Sequence, residues 1–197
     1  MTSALIGSGV RHELTSFGVG TFLYLAPHSQ YGRRVRTLLP AGGLDDGALI
    51  ISSGDPERSP AAWAPQRADH ESKVADELVV WIGERIRRDP QSALHMCDVG
   101  REFNRSPAGI GRILRYDLSV NFTSIVRWER LRLAIELIAD GANCTDAAHR
   151  AGFYDGSHFN RVCRAMFGIP PNLLELGCVR TAASADIATA FGLREVS

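Results

Sequence analysis

The sequence of 197 residues predicts a mainly α protein. We expect an all-α C-terminal domain with two helix-turn-helix units joined by a long central helix, preceded by a small β-rich N-terminal segment. Three observations predict this fold: the apolar periodicity changes near residue 75, one long amphipathic stretch follows, and the segments on either side of it repeat each other. The predicted parts are a β-rich segment, a linker, the helical domain and a tail, at 1–56, 57–74, 75–176 and 177–197.

The composition is that of a folded protein rather than a disordered chain. Apolar residues make up 45%, charged residues 22%, and the formal net charge is zero, which argues against a surface coated in positive charge. Lys73 is the one lysine; arginine suits bidentate contact with phosphate or guanine, but a GC-rich genome gives the same bias. With no secretion signal and no apolar run near the ~18 residues of a membrane span, we expect a cytoplasmic protein without membrane contact.

The four cysteines predict neither a metal site nor a disulfide framework. They are separated by 47, 19 and 15 residues, and no C-x-x-C pair occurs. His158 and Cys163 lie five residues apart, a spacing that does not bring two side chains onto one helix face. We therefore expect no metal and no cofactor bound through these side chains, and no catalytic nucleophile at Cys163.

The first half of the chain reads as short strands. The runs "SFGVGTFLYLAP", "YGRRVRTLLPAGG" and "LDDGALIISSGD" are rich in β-forming residues and are separated by turn signals. The next stretch, "GDPERSPAAWAPQRADHESK", contains three prolines and little apolar pattern, which indicates a linker.

Helical periodicity begins after Ala75. A first helix is predicted from the apolar spacing of "ELVVWIGERIRR", ending before Pro90, which disfavours helix at the preceding residue. The stretch "FTSIVRWERLRLAIELIADG" predicts a central helix of about four turns, with Asn121 as N-cap and Gly141 just past its end. Its apolar face comprises Ile125, Trp128, Leu131, Ile135 and Ile138.

The segments flanking the central helix repeat each other. A shift of 49 places "PAGIGRILRYDLSV" on "GSHFNRVCRAMFGI", so that Arg112 matches Arg161 and Arg115 matches Arg164. The apolar positions Ile110, Ile113, Leu114 and Leu118 then match Phe159, Val162, Cys163 and Phe167. Because Cys163 takes the place of a leucine, we expect it to be a core residue.

Upstream, "DVGREFN" matches "DAAHRAG" at a shift of 48, so the second copy has one extra residue in its turn. A small residue, Gly100 or Ala148, is followed four positions later by Asn104 or Gly152, types that tolerate positive φ. A small residue allows close approach of two helices, and a residue at positive φ allows a sharp turn between them. These features predict helix-turn-helix units, whose second helix enters the DNA major groove.

On these residues the segment from about Ala75 to Leu176 resembles the DNA-binding domain of the AraC/XylS family of bacterial transcription regulators. The likeness is carried by "RLRLAIELI" and "AAHRAGFYDGSHFNRVCRAMFGIPP". In the second motif the matching positions are Ala148, Gly152, Phe153, Phe159, Arg161, Gly168 and Pro171. The resemblance covers just over half the chain and implies a DNA-binding transcription regulator that is not an enzyme.

The resemblance implies that Pro107 to Arg115 and Gly156 to Arg164 are the two recognition helices. The implied groove-facing residues are Ala108, Gly111 and Arg112 in the first, and Gly156, Ser157, Asn160 and Arg161 in the second. Arginine can bond guanine and asparagine can bond adenine, which makes Arg112, Asn160 and Arg161 the main candidates for base readout. Three further arginines are better placed for phosphates: Arg115, Arg150 and Arg164.

The sequence departs from the family pattern in several places. Gly109 and Gly111 leave few side chains on the first recognition helix, and Glu175 stands where a basic residue is common. Residues 76–180 contain 14 arginines and 13 acidic residues, a net charge of only +1, which predicts modest non-specific affinity. The segment before the linker is short for the family's β-barrel, which leaves open a truncated sensor, a sheet completed by a second subunit, or a domain without a pocket. We favour dimerisation or regulation.

The implied partners are double-stranded promoter DNA and RNA polymerase, with homodimerisation and a small-molecule effector left open. Two other classes of function were weighed. An alkyl-accepting DNA-repair protein needs reactive thiolates in the N-terminal part, whereas the first cysteine is Cys97. The alternative is a modulator that pairs with a related regulator and has weak or no specific DNA binding. The glycines of the first recognition helix leave this alternative open, because they provide few side chains for base readout.

Overall fold

The computed structural model describes residues 2–6, 48–52, 72–167, 169–172 and 174. In the N-terminal part, strand β1 (Thr2–Ile6) pairs antiparallel with strand β2 (Ala48–Ser52). Strand β2 lies within the predicted strand run "LDDGALIISSGD". The other two predicted strand runs lie outside the described residues, so the β-rich character of residues 1–56 stays a prediction.

The second described part is all helical, which confirms the prediction of a mainly α domain. Its helices are α1 (Lys73–Arg88), α2 (Met96–Glu102), α3 (Pro107–Asp117), α4 (Phe122–Ala139), α5 (Cys144–Arg150) and α6 (Gly156–Phe167). Helix α1 begins within the stretch predicted as linker. Helix α4 has 18 residues and therefore five turns rather than the predicted four. The additional turn lies at its N-terminal end, between Asn121 and the first residue of the apolar face, Ile125.

The ends of α4 are closed as the sequence predicted. At its start, the side chain of Asn121 accepts a hydrogen bond of 2.8 Å from the backbone N–H of Ser124. Past its end, Gly141 has φ +96°, and its N–H donates to the carbonyl of Ile138 at 2.9 Å. The left-handed glycine therefore closes α4 and turns the chain toward α5.

The core has two parts that share α4. Around α1, α2 and α3 the buried residues are Ala75, Leu78, Ile82, Ile86, Val99, Ile110, Leu114, Leu118 and Ile125. Around α5 and α6 they are Ala147, Ala148, Ala151, Phe153, Phe159, Val162, Cys163, Phe167 and Leu174. The remaining face of α4 is also buried, at Leu131, Ala134, Ile135 and Ile138. Each large apolar side chain buried in this way contributes roughly 1.5–3 kcal/mol.

Charged residues hold α1 against α4. Arg132 donates to Glu129 at 2.7 Å and to Glu136 at 2.6 Å, and Arg87 of α1 donates to Glu136 at 2.8 Å. Glu129 is 7% exposed, and a Cβ on Gly83 would lie 3.0 Å from its Oε2. A glycine at position 83 thus lets α1 approach the Glu129 carboxylate closely, while Arg132 compensates the buried charge.

The loop between α1 and α2 joins the two halves of the helical domain. Arg130 of α4 donates to the carbonyls of Pro90 and Ser92, at 3.3 and 3.4 Å, and burial lowers its pKa. A Cβ on Gly152, in the turn between α5 and α6, would overlap the carbonyl oxygen of Pro90. Gln91 donates to the carbonyl of His149. These contacts fix the α5–α6 turn against the α1–α2 loop.

Candidate nucleic-acid interface

The two turns of the repeat have the same backbone geometry. Asn104 and Gly152 lie at φ +49° and +82°, as the sequence predicted. The N–H of Arg105 donates to the carbonyl of Gly100 at 2.8 Å, and the N–H of Phe153 donates to the carbonyl of Ala148 at 3.0 Å. Both hydrogen bonds close a helix over six residues, with the left-handed residue just before the donor. The domain therefore holds two helix-turn-helix units of one design.

Small residues precede both turns for a steric reason that is visible in the first unit. A Cβ on Gly100 would lie 2.6 Å from the carbonyl oxygen of Arg105, closer than carbon and oxygen can approach without displacing the backbone. Gly100 and Ala148 are both buried. The sequence predicted that a small residue allows the two helices to approach closely; at Gly100 the atom that a Cβ would meet first belongs to Arg105, in the turn that joins them.

Helices α3 and α6, the predicted recognition helices, are both capped by a side chain at matching positions. The hydroxyl of Ser106 accepts from the N–H of Gly109 at 3.1 Å, and the carboxylate of Asp155 accepts from the N–H of His158 at 2.6 Å. Sequence reasoning did not identify these caps. The signal was present, since Ser106 and Asp155 directly precede the two helices and are residue types typical of N-cap positions, and Pro107 is favoured at the first helical position.

The apolar faces of α3 and α6 are buried in the register that the repeat predicted. Leu114 and Cys163 are both fully buried at equivalent positions. Burial raises the pKa of the Cys163 thiol to about 12, so that the side chain is uncharged. The prediction that Cys163 is a core residue is confirmed. His158 packs its ring against Phe153 in an edge-to-face arrangement, with the two ring centroids 5.5 Å apart.

On α3, the face opposite the core is exposed and carries two arginines. Ala108, Arg112 and Arg115 are exposed, and Gly111 is half-buried beside the side chain of Met96. Within the described residues, neither Arg112 nor Arg115 has an ion-pair or hydrogen-bond partner. Helix α3 therefore presents two arginines that are unpaired among the described residues, next to the small residues Ala108 and Gly111.

On α6, the equivalent face carries more polar groups. Gly156, Ser157 and Arg161 are exposed, and Arg161 has no partner within the described part of the chain. Asn160 is half-buried, and its Oδ1 accepts a hydrogen bond of 2.9 Å from Nε of Arg164. The positions matching Asn160 and Arg164 in α3 are Gly111 and Arg115, which cannot form this bond. Helices α3 and α6 thus differ in the polar groups that they present.

Beside Arg161 lies a shallow cleft of about 230 Å³ between α4 and α6. Its lining includes Arg127, an exposed residue of α4 that sequence reasoning missed because only the apolar face of α4 was examined. Arg150, predicted to contact phosphate, lies on α5 and is paired with Asp146 at 3.3 Å. The cations of the second unit therefore come from three helices, with Arg150 partly neutralised.

Residues 99–174 match a protein-family model described as a helix-turn-helix domain. The match spans both turns, both recognition helices and the central helix between them. This part of the chain is an AraC-type helix-turn-helix domain. The resemblance stated from the sequence is confirmed for the AraC-type domain. Such a domain indicates a DNA-binding transcription regulator of the AraC type, and its family is a DNA-binding regulatory one rather than an enzymatic one.

Two solved structures are similar to this chain. The C-terminal domain of AraT, a response regulator from Geobacillus stearothermophilus, is 22% identical, with 54% of this chain and 88% of that chain covered and a TM-score of 0.44. A protein of unknown function from Listeria innocua is 20% identical, with coverages of 50% and 94% and a TM-score of 0.41. No curated protein matches the chain.

Two features are absent from the residues that the structure describes. Among them, no helix combines the length and the apolar character needed to cross a membrane. Also among them, no group of three or more histidine, cysteine or acidic side chains is arranged to hold a metal ion.

Proposed function

We propose that the protein binds a specific promoter sequence by inserting α3 and α6 into successive major grooves on one face of the duplex. The observation that carries this proposal is the repeated geometry: Arg112 and Arg161 occupy equivalent positions on two capped helices, each exposed and without a partner among the described residues. Bidentate contact between an arginine and guanine supplies ~1–3 kcal/mol of discrimination.

The dimensions of the domain support binding to two grooves. Helix α4, with 18 residues, is about 27 Å long and separates the two units. Successive major grooves on one face of B-DNA lie ~34 Å apart. A central helix of this length between the two units is compatible with that spacing.

The residues divide into two roles in this proposal. Arg112, Asn160 and Arg161 read bases, with Ala108, Gly111, Gly156 and Ser157 lying against the groove. Arg115, Arg150 and Arg164 contact phosphates, and Arg127 adds a cation beside Arg161. Because α6 presents more polar side chains than α3, the half-site under α6 carries most of the sequence preference.

The other parts of the chain serve regulation in this proposal. Residues 1–56 form a dimerisation or regulatory segment, a linker joins this segment to α1, and residues 177–197 form a tail. RNA polymerase is the partner through which binding at a promoter affects transcription. A small-molecule effector would act through the N-terminal segment.

The test is selection of duplexes from a random-sequence library by the full chain, followed by competition between the selected and an unselected duplex. We expect the wild-type protein to prefer the selected duplex, with affinity that falls steeply as salt rises. Arg161→Ala should remove most of that preference while its urea unfolding midpoint stays that of the wild type. A wild-type protein that binds both duplexes equally would overturn the proposal.

A further inference from the structure

The two turns differ by one residue, and that residue is Tyr154. In the first unit, Arg105 donates the closing hydrogen bond of the turn and is followed directly by the N-cap Ser106. In the second unit, Phe153 donates the equivalent bond, but Tyr154 comes between it and the capping Asp155. Tyr154 is therefore the residue by which the second turn is longer.

The fold of the domain does not account for a tyrosine at this position. Phe153 anchors the second turn, since it is 3% exposed and packs against Phe159 with ring centroids 5.0 Å apart. Tyr154 is 91% exposed, and within the described residues its hydroxyl has no hydrogen-bond partner. A large aromatic side chain held in solvent contributes nothing to the core, and its ring and hydroxyl are accessible to a molecule outside the domain.

The position of Tyr154 indicates what that contact is. The N-terminal end of a recognition helix enters the major groove, so the residue just before its cap lies where the chain passes over a DNA strand. Arg105 occupies the same place before α3 and is also exposed. Arginine and tyrosine are both among the side chains that donate hydrogen bonds to phosphate oxygens.

We propose that Tyr154 is a DNA-backbone contact of the second unit, whose hydroxyl donates a hydrogen bond to a phosphate oxygen beside the half-site under α6. Arg105 is its charged counterpart in the first unit. The inference rests on the proposed function, because it requires α6 to enter the groove by its N-terminal end. As a neutral donor, Tyr154 positions α6 without adding to the charge of the domain.

The chain offers a matched control in Tyr116, which is 76% exposed at the opposite, C-terminal end of α3. The full chain and the variants Tyr154→Phe, Tyr154→Ala, Tyr116→Phe and Arg105→Ala would be titrated with the selected duplex and with a random-sequence duplex over a range of salt concentrations. Tyr154→Phe removes only the hydroxyl, and urea midpoints would verify that each variant is folded.

For Tyr154→Phe we expect affinity for both duplexes to fall roughly fivefold, the effect of about one net hydrogen bond, with the salt slope unchanged. Arg105→Ala should lower the slope by about 0.9, because one phosphate charge is no longer neutralised. Tyr116→Phe should bind as the wild type does.

Two results would overturn the inference: Tyr154→Phe and Tyr154→Ala binding both duplexes as the wild type does, or a loss of affinity confined to the selected duplex. The first would leave Tyr154 exposed without a role in DNA binding. Failure of the proposed function gives a different result, namely a wild-type protein that binds the selected and the random duplex equally well. The Tyr154 contact is tested separately, because a backbone contact also contributes to affinity for the random duplex.

Discussion

Oδ1 of Asn160 accepts a hydrogen bond of 2.9 Å from Nε of Arg164, one turn further along α6. This bond uses one acceptor of the asparagine amide and turns its N–H₂ group away from Arg164. Arg164 was predicted from the sequence to contact phosphate alone. Its contact with Asn160 gives it a second role, that of orienting a side chain proposed to read a base.

Arg164→Ala and Arg115→Ala are therefore expected to differ, although the two arginines are equivalent in the repeat. Arg164→Ala should weaken binding to any duplex and also reduce preference at the base pair facing Asn160, by up to ~1 kcal/mol. Arg115→Ala should weaken binding without changing preference, since Gly111 has no side chain to orient. Competition between single-base variants of the selected duplex measures this, and equal changes in preference would contradict the assignment.

Asp155 caps α6 but places a negative charge at the end of the helix proposed to enter the groove. Asp155→Asn should keep the cap, at a cost to unfolding free energy below ~1 kcal/mol, and should raise affinity for a random duplex. Asp155→Ala should lose the cap as well, lowering the unfolding free energy by roughly 0.5–2 kcal/mol, as should Ser106→Ala at the equivalent position. Urea unfolding and duplex titration separate the two effects. Unchanged duplex affinity in Asp155→Asn would show that Asp155 lies away from the DNA.

Gly152→Ala and Gly141→Ala separate backbone strain from steric overlap. Both glycines have positive φ, which costs an alanine of order 1–3 kcal/mol. A Cβ on Gly141 meets nothing within 4 Å, whereas a Cβ on Gly152 overlaps the carbonyl of Pro90. Gly152→Ala should lower the unfolding free energy in urea clearly more than Gly141→Ala does. Equal losses would mean that the α1–α2 loop moves away at little cost.

Cys163 should resist thiol reagents that modify Cys97. Cys97 is exposed, whereas burial raises the pKa of Cys163 to about 12 from a usual value of 9.0. The unfolded chain releases the thiol proton near pH 9, whereas the folded chain keeps it up to about pH 12. The contribution of this proton to stability is therefore complete below pH 9 and is lost as pH rises toward about 12. Mass spectrometry after brief alkylation at pH 8 should find Cys97 modified first. Modification of Cys163 at an equal rate would contradict its burial.

Much of the helical domain could be predicted because local rules decide it. Asn104 and Gly152 have the residue types that positive φ favours, and Asn121 has a side chain suited to an N-cap. The repeat then placed Cys163 in the core, because Leu114 occupies the equivalent position. Each of these predictions depends on residues close together in the sequence, or on a comparison of two copies.

The predictions missed contacts between distant segments. The burial of Arg130 against Pro90, and the absence of room for a side chain at Gly152, depend on a loop some 40 to 60 residues away in the chain. The Asn160–Arg164 bond has the i, i+4 spacing of a helix pair but was not considered, because both residues had been assigned to DNA. Predictions for Gly168 and Glu175 lie outside the described residues.

Hydroxyl-radical footprinting of the full chain on its selected duplex tests most directly whether two recognition helices bind successive major grooves. We expect two protected tracts on one face of the DNA, centred 10–10.5 base pairs apart, the distance of about one helical turn. Arg161→Ala should weaken protection in one tract and Arg112→Ala in the other. A single protected tract, or equal loss from both tracts in each variant, would contradict the account.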